Sequence, residues 1–97
     1  MANRTYRALI CCPIGIGSSA MLQIKVDQVV SEEDLPIVTV RDEVEAIDSF
    51  DGDLIITMAD FADRLATRED LPPVVGIRNI VDKREISDAL HDFLGEH

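Results

Sequence analysis

Four short runs dense in Val, Ile and Leu recur along the chain, each followed by a segment with helical spacing. That alternation restricts the fold more than any other feature of the 97 residues. The runs read as strands over Tyr6–Cys11, Pro36–Val40, Leu54–Thr57 and Val74–Ile77. The helical segments are Ser18–Val30, a short Glu43–Ser49, Ala59–Ala66 and Lys83–Leu94. A strand that feeds a helix and then another strand rejoins the sheet by a right-handed crossover, so the strands run parallel with helices on both faces. The prediction is one α/β domain over residues 1–97. It has three layers around a four-stranded parallel sheet in the flavodoxin-like order 2-1-3-4. A chain of this length supports one core and no second domain.

Helical spacing also assigns faces. In the first helix Met21, Leu22, Val26, Val29 and Val30 form the apolar stripe, leaving Gln23, Lys25, Asp27 and Gln28 for the other side. In the last helix Ile86, Leu90, Phe93 and Leu94 recur on one face, and Asp82 with Glu85 three residues on reads as a variant of the capping box.

Charge and cysteine content exclude several functions. Nine Lys and Arg against nineteen Asp and Glu give a net charge of -10, which repels a nucleic-acid backbone. No apolar run approaches the roughly 20 residues that span a bilayer, and "MANRTYRALICC" lacks the apolar core of a signal peptide. A soluble, cytoplasmic domain is expected. Two cysteines are too few for a disulfide scaffold or a structural zinc site, and His91 and His97 have no matching spacing. Reduced thiols, with no metal and no cofactor, are the reading.

The chemistry concentrates in "CCPIGIGSSA", Cys11 to Ala20, between the first strand and the first helix. Gly15 and Gly17 let the backbone approach a ligand closely, and free N–H groups at a helix start favour an anion. The same field favours a thiolate, so a cysteine at the rim gains nucleophilicity. Side chains alternate along a strand, so Cys11 and Cys12 point in different directions. Cys11 extends the apolar run and is expected in the core, whereas Cys12 opens the loop and is assigned the chemistry. Ser18 is expected to cap the first helix. An anion site with its own nucleophile points to covalent phosphoryl chemistry.

Two other readings use the same residues. "GIGSSA" matches the dinucleotide fingerprint G-x-G-x-x-A, and Arg41 and Asp42 follow the second strand; the chain has no room for a second nucleotide-binding half, which leaves a small nucleotide-binding domain as the alternative on this reading. A low-molecular-weight tyrosine phosphatase places an arginine six positions after its cysteine. Here those positions hold Ser18, counted from Cys12, and Gly17, counted from Cys11. Without that guanidinium, hydrolysis loses a main stabiliser of its transition state. A phosphotyrosine-phosphatase-like fold with this loop holds a phosphoryl group without readily passing it to water.

Cys12, Gly15, Gly17, Ser18, Ser19, Met21, Lys25, Val26 and Asp27 together resemble the cysteine loop and first helix of IIB components of the bacterial sugar phosphotransferase system. The likeness is nearest to the ascorbate type, with the galactitol type close by, and "VVGIRN" at Val74–Asn79 adds a second matching stretch. The resemblance implies a carrier in which Cys12 accepts a phosphoryl group from a phosphohistidine on a IIA protein. The phosphocysteine then passes it to a sugar held by the membrane IIC component, with which the domain associates peripherally. It also implies that Ile14, Gly15, Ile16, Gly17, Ser18 and Ser19 hold the phosphate oxygens. The chain departs from the family at Pro13 and Ile14, where the ascorbate type commonly has Gly-Asn. Pro13 carries no N–H to offer a phosphate. A domain attenuated at Pro13 would sense phosphorylation state rather than pass the group on.

The remaining polar candidates have plainer readings. Arg78 and Asn79 are expected at the carboxyl end of the fourth strand. Asp60, Asp63 and Arg64 read as an exposed helix face, Arg68–Pro73 as a solvated loop, and His91 as a helix-surface residue.

Overall fold

The structure, a computed structural model, describes residues 5–11 and 16–96. Its elements in chain order are β1 (Tyr6–Ile10), α1 (Ile16–Glu33), β2 (Ile37–Arg41), a 3-10 turn (Val44–Ser49), β3 (Leu54–Met58), α2 (Ala59–Leu65), β4 (Val74–Ile77) and α3 (Lys83–Glu96). All three strand pairings are parallel and the sheet order is β2-β1-β3-β4, as the alternation predicts. Pairing sets Ile10 against both Arg41 and Ile56, and Met58 against Ile77, so the strands end together at one carboxyl edge.

Two-residue alternation divides the core between the faces. Ala8, Ile10, Leu54, Ile56 and Ile77 meet Leu22, Val26 and Val29 of α1 and Ile86, Leu90 and Phe93 of α3. Leu9, Cys11 and Ile55 face the other way, onto Ile47 of the 3-10 turn and Leu65. At about 1.5–3 kcal/mol per fully buried aliphatic side chain, the face under α1 and α3 supplies most of the hydrophobic stabilisation. Gly76 marks where α2 lies hard against β4. A Cβ there would stand 2.8 Å from the Ala62 Cβ and 3.0 Å from the Ala59 Cα, so only hydrogen fits.

Several local expectations change. The stripe of α1 is Leu22, Val26 and Val29, with Val30 half-buried, whereas Met21 is exposed along with Ile24. One residue turns a helix by about 100°, which carries Met21 off the stripe of Leu22. The helix begins at Ile16, so Ser18 sits inside its first turn and is not its cap. The segment after β2 is 3-10 rather than α-helical, and Cys11 lies just beyond the last residue of β1.

The capping box is only half formed. Asp82 Oδ1 accepts from the N–H groups of Arg84 (3.0 Å) and Glu85 (3.3 Å), but Glu85 does not reach back to Asp82. Its carboxylate accepts instead from the N–H groups of Arg78 (2.7 Å) and Asn79 (3.0 Å). The backbone leaving β4 crosses above α3 and offers two donors where a capping box offers one. Among the described residues, no helix is long and apolar enough to cross a membrane.

Candidate functional site

In an open parallel sheet the ligand position lies beyond the carboxyl edge, where the strand order switches. Here the switch falls between β1 and its two neighbours, β2 and β3. β1 ends at Ile10 on that edge, Cys11 follows, and α1 starts at Ile16. Cys12, Pro13, Ile14 and Gly15, all named from the sequence, lie outside the described residues.

Cys11 is fully buried beside Leu9, Ile47, Ile55 and Leu65, the core position expected of it. Its N–H donates to the Ile56 carbonyl at 3.3 Å, which extends the β1–β3 ladder by one residue. Ile16, Gly17, Ser18 and Ser19 form the first turn of α1. The opening amides of an α-helix have no acceptor within it, so the N–H groups of Ile16, Gly17 and Ser18 are directed out of the helix start. Ser19 is four residues into the turn, where an amide first bonds back along the helix, and its side chain is buried. No acidic residue stands in this first turn. In a chain with nineteen Asp and Glu, that leaves the positive end of the α1 dipole uncompensated by its own side chains.

The neighbouring corners of the edge differ. Where β3 enters α2, Met58 precedes the helix without a side-chain cap and Asp60 occupies the first turn. Met58, Ala59, Asp60, Ile77 and Arg78 line a small cleft of about 110 Å³ between the ends of β3 and β4. Arg78 and Asn79 follow β4 directly, as expected, and the Glu85 carboxylate fixes their backbone.

Asp60, Asp63 and Arg64 are exposed on α2. Arg68 pairs with Asp48 (2.8 Å) and Asp70 (2.9 Å) in the solvated loop. His91 lies on the exposed surface of α3, away from the carboxyl edge, with Nε2 2.5 Å from Glu33 Oε1. Ser87 Oγ donates to the other Glu33 oxygen at 2.7 Å. These two contacts, the Ser87 hydroxyl first and the His91 ring second, hold the Glu33 carboxyl below its ordinary range.

Two residues escaped the sequence reading. The Thr57 hydroxyl, at the end of β3, is fully buried with no hydrogen-bond partner among the described residues, and nothing there explains it. Arg41 reads in sequence only as a residue after a strand, but the register makes it the last residue of β2, directly opposite Ile10. Pairing register is a long-range property that no local pattern around Arg41 encodes. Among the described residues no group of three His, Cys, Asp or Glu side chains is placed to hold a metal ion.

No curated protein matches the chain. Among solved structures, the fold is similar to the lactose-specific IIB component domain of the phosphoenolpyruvate:carbohydrate phosphotransferase system from Streptococcus pneumoniae. The TM-score is 0.59 at 15% identity, covering 97% of this chain and 99% of that one. At that identity the likeness is one of fold. The narrower likeness to the ascorbate and galactitol types, read from the cysteine loop, gives way to a different description. The family model that matches, over residues 7–92, is "PTS system, Lactose/Cellobiose specific IIB subunit". With the match running from β1 into α3, the chain belongs to the lactose/cellobiose-specific IIB family of the phosphotransferase system, which implies a phosphoryl carrier role in sugar uptake.

Proposed function

We infer that Cys12 is the carrier atom's residue: its thiolate accepts the phosphoryl group from a phosphohistidine of a IIA protein and delivers it to a sugar on a membrane IIC component. In the first step the Cys12 Sγ attacks phosphorus, an S–P bond forms, the P–N bond breaks and the imidazole takes back the electron pair. In the second, a sugar hydroxyl oxygen attacks, the O–P bond forms and the S–P bond breaks. The hydroxyl proton passes to a base on the sugar-binding partner, and Cys12 returns as thiolate. Amides and hydroxyls of Ile14, Gly15, Ile16, Gly17, Ser18 and Ser19 hold the phosphate oxygens in this reading, through donors fixed at a helix start.

The observation that carries it is the start of α1 at Ile16, immediately after the cysteine-bearing connection and with no acid in its first turn. Such a terminus stabilises both a thiolate and the phosphoryl dianion that replaces it. The sugar class follows the matched family, lactose- or cellobiose-like, with ascorbate-like and galactitol-like donors as the contrast in the test.

The experiment is intact-protein mass after incubation with phosphoenolpyruvate, the general phosphotransfer proteins and IIA proteins of each class. Mapping under conditions that spare thiophosphate then locates the group. One phosphoryl group at Cys12 is expected, abolished by Cys12→Ser and retained in Cys11→Ala. Acceptance that survives Cys12→Ser would sink the assignment. A phosphorylated cognate IIA that transfers nothing until Pro13→Gly is introduced would replace the carrier with a phosphorylation-state sensor.

A further inference from the structure

We propose that the free edge of β2 pairs antiparallel with the β2 edge of a second copy of this chain, joining two four-stranded sheets into one.

The backbone comes first. β2 is the last strand on its side of the sheet, and the bonds at its two ends fix which of its residues face inward. The Tyr6 N–H donates to the Pro36 carbonyl at 2.8 Å, and the Asp42 N–H donates to the Ile10 carbonyl at 3.2 Å. Backbone groups alternate along a strand, so Val38 and Val40 also turn theirs to β1, while Ile37, Thr39 and Arg41 turn theirs outward. The Ile37 N–H is taken by the Leu35 carbonyl at 2.9 Å. Among the described residues, nothing accepts from the Thr39 and Arg41 N–H groups. The opposite edge is better guarded. β4 carries Gly76 within it, and the next outward amide, that of Arg78, is taken by Glu85 at 2.7 Å. Between Ile37 and Val40, β2 has no glycine, proline or charge to discourage pairing.

Side chains select one register. With Thr39 opposite Thr39 across a two-fold axis, the two residues exchange both N–H to C=O bonds, and each Arg41 N–H reaches the Ile37 carbonyl of the other copy. Val38 then lies opposite Val40 of the second copy, on the face away from α1. These side chains are 52% and 39% exposed, and the pairing covers both. Sliding the register by two residues sets Val38 opposite Asp42 in one direction and Val40 opposite Pro36 in the other. Only the Thr39 register pairs both valines.

The same axis acts on α1. The Thr39 hydroxyl accepts from Gln23 Nε2 at 3.3 Å and donates to Asp27 Oδ1 at 2.6 Å, so Thr39 lies at a level between them. A two-fold through Thr39 therefore sets Gln23 of one α1 level with Asp27 of the other, amide donor against carboxylate. Charge agrees. Arg41 stands opposite Ile37 of the second copy on the α1 side, and Ile37 packs with Val30 and Leu35 near the end of that helix. The last turn there carries Glu32 and Glu33 and no basic residue, and Asp34 follows. A guanidinium complements such a terminus, and within one copy Arg41 lies at the far end of the strand from it. The axis is perpendicular to the sheet, so the two carboxyl edges point in opposite directions and both stay open.

The test is sedimentation equilibrium of the whole protein over a wide concentration range, where a reversible monomer–dimer equilibrium is expected. Val38→Lys and Val40→Lys should each weaken association about tenfold or more, because lysine on an edge opposes pairing. Their thermal transitions at low concentration should match wild type, since both side chains are exposed. Val81→Lys, at another exposed apolar position, should dimerise as wild type does. Arg41→Gln should weaken the dimer about fivefold. Mixing Val38→Lys with Val40→Glu should restore a mixed dimer, which this register alone predicts. Amide exchange at Thr39 and Arg41 should slow as concentration rises, with Gly76 unchanged. Wild type that stays monomeric, a dimer indifferent to both valine variants, a mixture that fails to associate, or slowing at Gly76 instead would each overturn the proposal.

Discussion

The carboxyl edge of the sheet carries two strand-to-helix corners of opposite character, β1 into α1 and β4 into α3. At the second, side chains of the corner itself accept from five backbone N–H groups. Glu85 receives the Arg78 and Asn79 amides, Asn79 Oδ1 receives the Val81 N–H at 3.2 Å, and Asp82 receives the Arg84 and Glu85 amides. The α3 dipole is answered by its own carboxylates. At the first corner α1 opens with Ile16, Gly17, Ser18 and Ser19 and no acid at all. A helix start filled by the protein's own anions has no room for another; one left unfilled is available to a ligand. The same sheet edge thus holds one helix start answered by its own carboxylates and one whose first turn carries none.

The strongest way to break this contrast is to close the open corner. Ser18→Asp puts in the first turn of α1 the kind of residue that the first turn of α3 already has. Helix stability should hold or rise slightly, by about 0.3–1 kcal/mol, because an acid there complements the dipole. Phosphoryl acceptance should fall about a hundredfold or more, since a carboxylate close to a dianion opposes it by several kcal/mol at protein-surface dielectric. Intact mass after phosphotransfer and urea unfolding of the same sample measure the two sides together. Acceptance at the wild-type rate would show that the helix start is not where the anion sits.

The converse change opens the closed corner. Glu85→Ala strands the amides of Arg78 and Asn79 and should cost about 1–2 kcal/mol, given a half-buried carboxylate holding two charge-assisted bonds. The urea midpoint should drop while Cys12 still accepts phosphate. A loss of acceptance without loss of stability would mean that the two corners are coupled across β3.

How far the sequence reveals these corners depends on the range of the interactions that build them. Strand order, parallel pairing and the burial of Cys11 follow from alternation and from short apolar runs, which are local signals. Val74–Ile77 appears with the bounds that the sequence suggests. Glu85 looks like a capping partner for Asp82 because the spacing of the box is right. Only the path of the chain above α3 shows that Arg78 and Asn79 lie closer. Arg41 is hidden for the same reason, since its neighbour Ile10 is far away in sequence and near only through register. Met21 was misplaced by one position on a helix whose polar and apolar residues are weakly segregated, where Ile24 is exposed as well.

The far end of α1 completes the contrast and yields the smallest expected effect. Its last turn carries Glu32 and Glu33 and no basic residue, the wrong sign for the negative end of a helix dipole. The compensation comes from α3, where Lys83 pairs with Glu32, and Ser87 and His91 bond to Glu33. The Ser87 hydroxyl, and after it the His91 ring, lower the Glu33 pKa relative to an unfolded chain. A depressed carboxyl contributes stability in full above its unfolded pKa and loses it as pH falls through the folded value. The difference in urea midpoint between wild type and Glu33→Gln should therefore be largest near neutrality and shrink below the ordinary carboxylate range. Exposure keeps it modest throughout. A difference that stays constant into acid would mean that the contact is held by hydrogen bonding alone, and that α1 tolerates acids at its negative end without help from α3.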